Sequence, residues 1–118
     1  MAWTRKFDDC VVCNGYPIDI HDPNGEETFS THLPWGEYYT IPYRALINEK
    51  VDNLITVGRC ISGEFEAQAA FRTTPCAGAL GHVGGAAAAM AAKCGKPFNL
   101  LDYGAIKEVL LTQNAFLG

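Results

Sequence analysis

Apolar and polar residues alternate along 16–21 (Tyr-Pro-Ile-Asp-Ile-His), predicting a strand with one covered face. Pro17 places that strand at its start or at a sheet edge. Asp22, Pro23, Asn24 and Gly25 carry the dihedral preferences of a reversal, so a turn follows. Residues 26–35 are polar and read as a loop. The aromatic and β-branched stretch 37–47 predicts a second strand, interrupted or bent at Pro42. Residues 54–57 (Leu-Ile-Thr-Val) form a short apolar run that predicts a buried strand, stopped by Gly58. Residues 4–13 are too brief a pattern to separate a short helix from an extended arm.

The periodicity then changes. Thr74 and Pro75 pair a hydroxyl N-cap with a proline at the first helical position. From Cys76 to Cys94 the chain is mostly Ala, Gly, Leu, Val and Met, and Gly95 and Pro97 close the predicted helix behind Lys93. Asp102 is the expected N-cap of a last helix of about 11 residues. Its covered side carries Ala105, Ile106, Val109, Leu110 and Gln113, opposite Lys107 and Glu108. After residue 57 comes a connection rich in small residues, so strands first and two helices last make an α+β class. Three short strands beneath a long helix are a weak layer, so the expected architecture is one incomplete piece spanning 1–118.

Composition narrows the partners. The 118 residues suffice for one domain with a core, and the net charge of −4 comes with scattered basic residues. No nucleic-acid or membrane partner is expected. The longest apolar stretch is far below the roughly 20 residues of a bilayer span. The first residues lead into Phe7-Asp8-Asp9 with no apolar core, so no secretory signal is expected. Five cysteines, an odd number, in apolar or helical settings suit reduced thiols and a cytoplasmic location better than a disulfide framework.

Four glycines inside the long helix, Gly78, Gly81, Gly84 and Gly85, each cost about 1 kcal/mol of helix propensity against alanine. Gly78, Gly81, Gly85, Ala88 and Ala92 recur at spacings of three and four, making one flat stripe. Two readings stand: close packing against another element, or room for a large planar cofactor at the N-terminal glycines. A strand, a glycine turn and a helix start without bulky side chains let a phosphate or polar ring edge meet bare N–H groups. Arg59 and Arg72 are the charges nearest that place. Neither G-x-G-x-x-G nor G-x-x-x-x-G-K-[ST] occurs in the chain.

The remaining chemistry is thin. Cys10 and Cys13 have the C-x-x-C spacing of a metal knuckle or redox pair, but no second pair follows. His21, His32, Cys60 and Cys76 lack ligand spacing, so no metal site is assigned. Ser62 is not in a G-x-S-x-G elbow. Asp19 with Glu26, and Glu64 with Glu66, read as solvated carboxylates, and the catalytic residue is unknown.

Several spaced motifs nevertheless occur together: 39–47, then 51–62 with Val57-Gly58-Arg59-Cys60, then 66–72, then Pro75-Cys76, Gly81 and the run from Gly85. In this order they resemble the C-terminal end of the FAD-dependent oxidoreductases related to fumarate reductases and other glutathione-reductase-like flavoproteins. The earlier stretch 15–23 resembles a segment of the same family's substrate-side layer. The resemblance divides the chain into 1–40, the substrate-side segment, and 41–118, the strand and helix that close the FAD site. It implies that Gly58, Arg59 and Cys60 lie beside the pyrophosphate and ribityl portion. Residues 66–72, ending at Arg72, would line the flavin side, and Thr74, Pro75 and Cys76 would aim the helix start at the isoalloxazine edge. Gly81 belongs to the same cofactor-binding set, and His82 stands where the family often has glutamine.

The family's principal nucleotide grip, a Rossmann half, has no counterpart in these residues. The resemblance therefore implies a C-terminal portion that acts with the remainder of its chain, a separate Rossmann-type partner or further copies of itself. Such a portion would take part in small-molecule redox chemistry, and alone it would be inactive. The alternative is a non-catalytic interaction or oligomerisation module derived from such an enzyme.

Overall fold

A computed structural model describes residues 4–25 and 28–118. Two antiparallel pairs precede the helices: β1 (Cys10–Asn14) with β4 (Tyr39–Pro42), and β2 (Ile18–His21) with β3 (Thr28–Thr31). Three helices follow, α1 (Phe65–Phe71), α2 (Thr74–Cys94) and α3 (Tyr103–Thr112). The α+β order is the expected one, with one helix more than expected: α1 occupies a stretch that the sequence presents as a connection rich in small residues.

The 22–25 turn closes as its residue types require. The amide of Gly25 donates to the carbonyl of Asp22 at 3.0 Å, and the Asp22 carboxylate accepts from the Asn24 amide at 2.7 Å. The chain then pairs Ile18 with Thr31 and Ile20 with Phe29, so part of the segment read as a loop is a strand. Thr28, Phe29 and Thr31 are good strand formers whose pattern was too short to outweigh the polar residues around them. Glu26, at the start of that loop, lies outside the described residues.

Of the first arm only 10–13 is strand, entered through a turn at 8–9, and β1 carries a bulge: Cys10 pairs with Pro42, Val12 with Ile41 and Cys13 with Thr40. Of the two outcomes expected at Pro42 the interruption is the one observed: β4 ends there, and a 3-10 turn (Tyr43–Ala45) replaces the rest of the expected strand. The strand expected at 54–57 is a correction. Only Ile55 makes a ladder contact, an isolated antiparallel bridge to Ile47, and Leu54 is exposed. An apolar run becomes a strand only where a neighbour supplies hydrogen bonds, and here one edge is offered for a single residue. Among the described residues the bridge is reinforced by the Thr56 amide, which donates to the Leu46 carbonyl at 2.8 Å.

The core lies between the β1–β4 pair, α2 and α3. Leu80, Val83 and Ala87 on α2 meet Ile106 and Leu110 on α3, all of them buried. Two tyrosines tie distant segments to this core. The Tyr43 hydroxyl donates to the Phe98 carbonyl at 3.0 Å, and that of Tyr103 to the Cys10 carbonyl at 2.8 Å. A smaller cluster packs Ala69 and Ala70 of α1 on Ile18 of β2. The ends of α3 and α2 form as predicted. The Asp102 carboxylate accepts from the Ala105 amide at 2.9 Å, and Gly95 takes the left-handed conformation (φ 63°) that ends α2. At the start of α2 the boundary shifts by one residue: Thr73 is the N-cap and Thr74 opens the helix.

Candidate functional site

Gly58 adopts φ +67°, a conformation other residues rarely reach, and opens a 3-10 turn (Gly58–Cys60) beside the start of α2. The turn is fastened there by Arg59. Its Nε donates to the Arg72 carbonyl at 2.8 Å and its Nη2 to the Thr74 hydroxyl at 3.3 Å. Gln68 on α1 donates back to the Arg59 carbonyl at 3.4 Å. The fold therefore brings Gly58, Arg59, Cys60, Thr74 and the backbone of Arg72 together, although they come from two separate stretches of the chain, 58–60 and 72–74.

The Arg72 side chain turns the other way. Its Nη2 donates to the Asp19 carbonyl at 3.3 Å and lies 3.9 Å from the Asp19 carboxylate, tying the end of α1 to β2. Pro75 is exposed, while Cys76 is buried beneath α2. Burial pushes the Cys76 thiol up to about 11, partly countered by a hydrogen bond with Asn14. The thiol thus stays protonated and inside the chain, and Cys76 offers the outer surface only backbone. Burial likewise raises Tyr39, whose hydroxyl accepts from Asn14 at 2.7 Å. The sequence places Gln68 only within the 66–72 stretch and reads Asp19 as a solvated carboxylate. The hydrogen bonds that join them to this junction, each accepted by a backbone carbonyl, leave no spacing signal. The Asp19 carboxylate is a correction, since it lies beside Arg72.

Gly81 lies seven residues beyond Thr74, two turns along the same face. Thr74, Gly78, Gly81, Gly85, Ala88 and Ala92 are all exposed, and a Cβ built on Gly78, Gly81 or Gly85 would meet nothing within 4 Å. Close packing of the stripe within this chain is therefore not what these glycines do. Gly84, outside the stripe, is the one pressed by a neighbour, Val57. His82 hydrogen-bonds through Nε2 to the Gln113 side chain.

Electrostatically the junction is unusual. A helix N-terminus is a partial positive charge that normally attracts carboxylates, yet the first turn of α2 has no acidic residue and a guanidinium sits against it. Thr73, the N-cap, makes no side-chain capping hydrogen bond. Two shallow hollows among the described residues lie elsewhere, one lined by Arg44 and Ile47, the other by Ile20, Phe29 and Phe65.

A family model described as FAD dependent oxidoreductase matches residues 1–110. The chain belongs to that family. No curated protein and no solved structure matches it significantly. Among the described residues, no helix of this FAD-dependent oxidoreductase family member is long and apolar enough to cross a membrane. The residues present suit one side of an FAD site. The donor set is cationic, and the helix face running from Thr74 has open space wherever a Cβ is missing.

Proposed function

We propose that the chain is the C-terminal, cofactor-closing part of an FAD-dependent oxidoreductase, completing a flavin site whose dinucleotide grip is carried by protein outside these residues. The observation that supports it most is the Arg59 guanidinium held between the Arg72 carbonyl and the Thr74 hydroxyl, at a helix start with no acidic residue in its first turn. Two positive features side by side repel each other and are stabilised by an anionic partner such as a pyrophosphate or an electron-rich ring edge. Bound FAD supplies the redox chemistry of this class. Arg59 and the first-turn amides orient the group and offset its negative charge, while Gly58, Gly78 and Gly81 let backbone come close to it. Cys60 and Pro75 border the same surface.

The test is flavin retention. The 118-residue chain purified alone should carry little or no FAD, and mixing it with a dinucleotide-binding half should produce a stoichiometric flavin spectrum. A bright yellow, fully loaded chain on its own contradicts the proposed division of labour. So does a dinucleotide half whose flavin binding is indifferent to this chain.

The exposed Gly/Ala face of α2 favours a second reading, a non-catalytic module that associates with a copy of itself or with a Rossmann-type partner. Light scattering separates the two. Self-association that persists in the presence of a dinucleotide-binding half, without flavin uptake, supports the module, and a stable monomer that gains flavin with that half supports the first reading.

A further inference from the structure

In a regular strand, residues three apart point to opposite faces. Cys10 and Cys13 do not. The bulge between Cys10 and Val12 makes Val11 an extra residue, so Cys10 pairs with Pro42 and Cys13 with Thr40, two positions apart on the partner strand. Partners two apart share a face, and the two Sγ atoms accordingly lie 3.7 Å from each other, in van der Waals contact. The bulge converts a spacing that would separate the thiols into one that joins them. It sits at the end of the β1–β4 ladder where β1 begins and β4 ends, and there the Cys10 carbonyl also accepts from Tyr103.

We propose that Cys10 and Cys13 are a dithiol–disulfide pair, a modification site at which a low-molecular-weight disulfide closes an intramolecular bond across the bulge of β1. Cys13 is half-buried and Cys10 buried, so Cys13 meets the reagent first. Its thiolate attacks one sulfur of the reagent disulfide, forming a mixed disulfide and releasing one thiol after protonation. The Cys10 thiolate then attacks the Cys13 sulfur, forming the Cys10–Cys13 bond and releasing the second thiol. Two protein thiols are oxidised by two electrons and one reagent disulfide is reduced to two thiols. Burial raises both cysteines, Cys13 to about 12, with Lys107 and Lys6 pulling Cys10 and Cys13 weakly the other way. Thiols of this kind attack slowly near neutrality, and they are poor leaving groups once bonded, so the disulfide forms slowly and persists.

Oxidised glutathione is the probe. The full chain is incubated with it at mildly alkaline pH, quenched in acid, alkylated and cut with trypsin, which leaves residues 7–44 as one peptide holding only these two cysteines. The expected product has lost two hydrogens, carries neither alkyl group nor glutathione, and regains both alkylation sites after reduction. In Cys10→Ser the reaction should stop at glutathione on Cys13. Alkylation of both thiols in the oxidised wild-type chain overturns the proposal. So does glutathione that stays on Cys13 in the wild-type chain as it does in the variant. The wild-type masses decide the matter even if the variant fails to fold.

Discussion

Val57 occupies the place that a side chain at Gly84 would take: a Cβ there would lie 2.8 Å from Val57 Cγ1 and 3.3 Å from Cγ2. The contact sets the approach of the 54–57 segment to α2. Gly58 and Arg59 follow directly, so the same absence of a methyl group delivers the Arg59 turn to the start of the helix.

Gly84→Ala should therefore destabilise the chain although alanine is the better helix former. Its overpacking cost of about 1–3 kcal/mol outweighs the roughly 1 kcal/mol of regained propensity unless Val57 moves. Gly81→Ala has open space and should stabilise the isolated chain by about 0.5–1 kcal/mol. Urea unfolding of the two variants in parallel checks the pair. Equal shifts in the same direction mean that Val57 gives way without cost.

Two of the three helices, α2 and α3, were legible because their signals are local, whereas the seven-residue α1 is too short to declare a period. Asp102, Pro75 and Gly95 act within a few residues, and a 3.6-residue period declares a face. The stripe was visible too, but a small-residue face looks the same whether it is packed or open, and only coordinates place Gly84 against Val57 and Gly81 against nothing. The strands at 28–31 and 54–57 were misjudged for one reason. Pairing is decided by a distant neighbour: Phe29 found Ile20, whereas Leu54 found none. The Arg59 turn was located from its neighbours in sequence, and its hydrogen bonds to Arg72 and Thr74 required the folded chain.

Asp102→Ala removes the acceptor for the Ala105 amide and should cost about 1 kcal/mol. Ile106 and Leu110 remain fully buried, so α3 should weaken without leaving the core. Denaturant unfolding should show a lower midpoint with an unchanged slope. An unchanged midpoint means that water replaces the cap at no cost.

Alkali should destabilise the chain. Burial raises Cys76 to about 11 and Cys13 and Tyr43 to about 12, so the folded state holds protons that the unfolded chain releases from about pH 9 to 10. With the folded values raised, this stabilisation is complete below pH 9 and falls as pH climbs through 9 to 12. Thermal melting under reducing conditions should show Tm declining across that window. A Tm that stays flat to pH 11 contradicts the burial of these three groups.

Arg59 bridges two acceptors with one planar group, which separates its structural part from its proposed electrostatic part. The residue is exposed, and its hydrogen bonds to Arg72 and Thr74 are worth about 0.5–1.5 kcal/mol each at most, so Arg59→Ala should fold with a modest loss of stability. Arg59→Lys keeps the charge but cannot reach both acceptors with a single ammonium. If the guanidinium serves an anionic cofactor group, flavin affinity of the chain assembled with a dinucleotide-binding half should drop about tenfold or more in Arg59→Ala, equivalent to about 1.4 kcal/mol. The lysine variant should recover only part of that loss, and the Arg59→Ala deficit should shrink with salt, as screening weakens the attraction that the wild-type guanidinium supplies. Flavin titration of the three proteins at two ionic strengths reads this out. Should all three bind flavin alike, Arg59 is a fastener of the turn and nothing more, and the positive end of α2 has to find its partner through backbone alone.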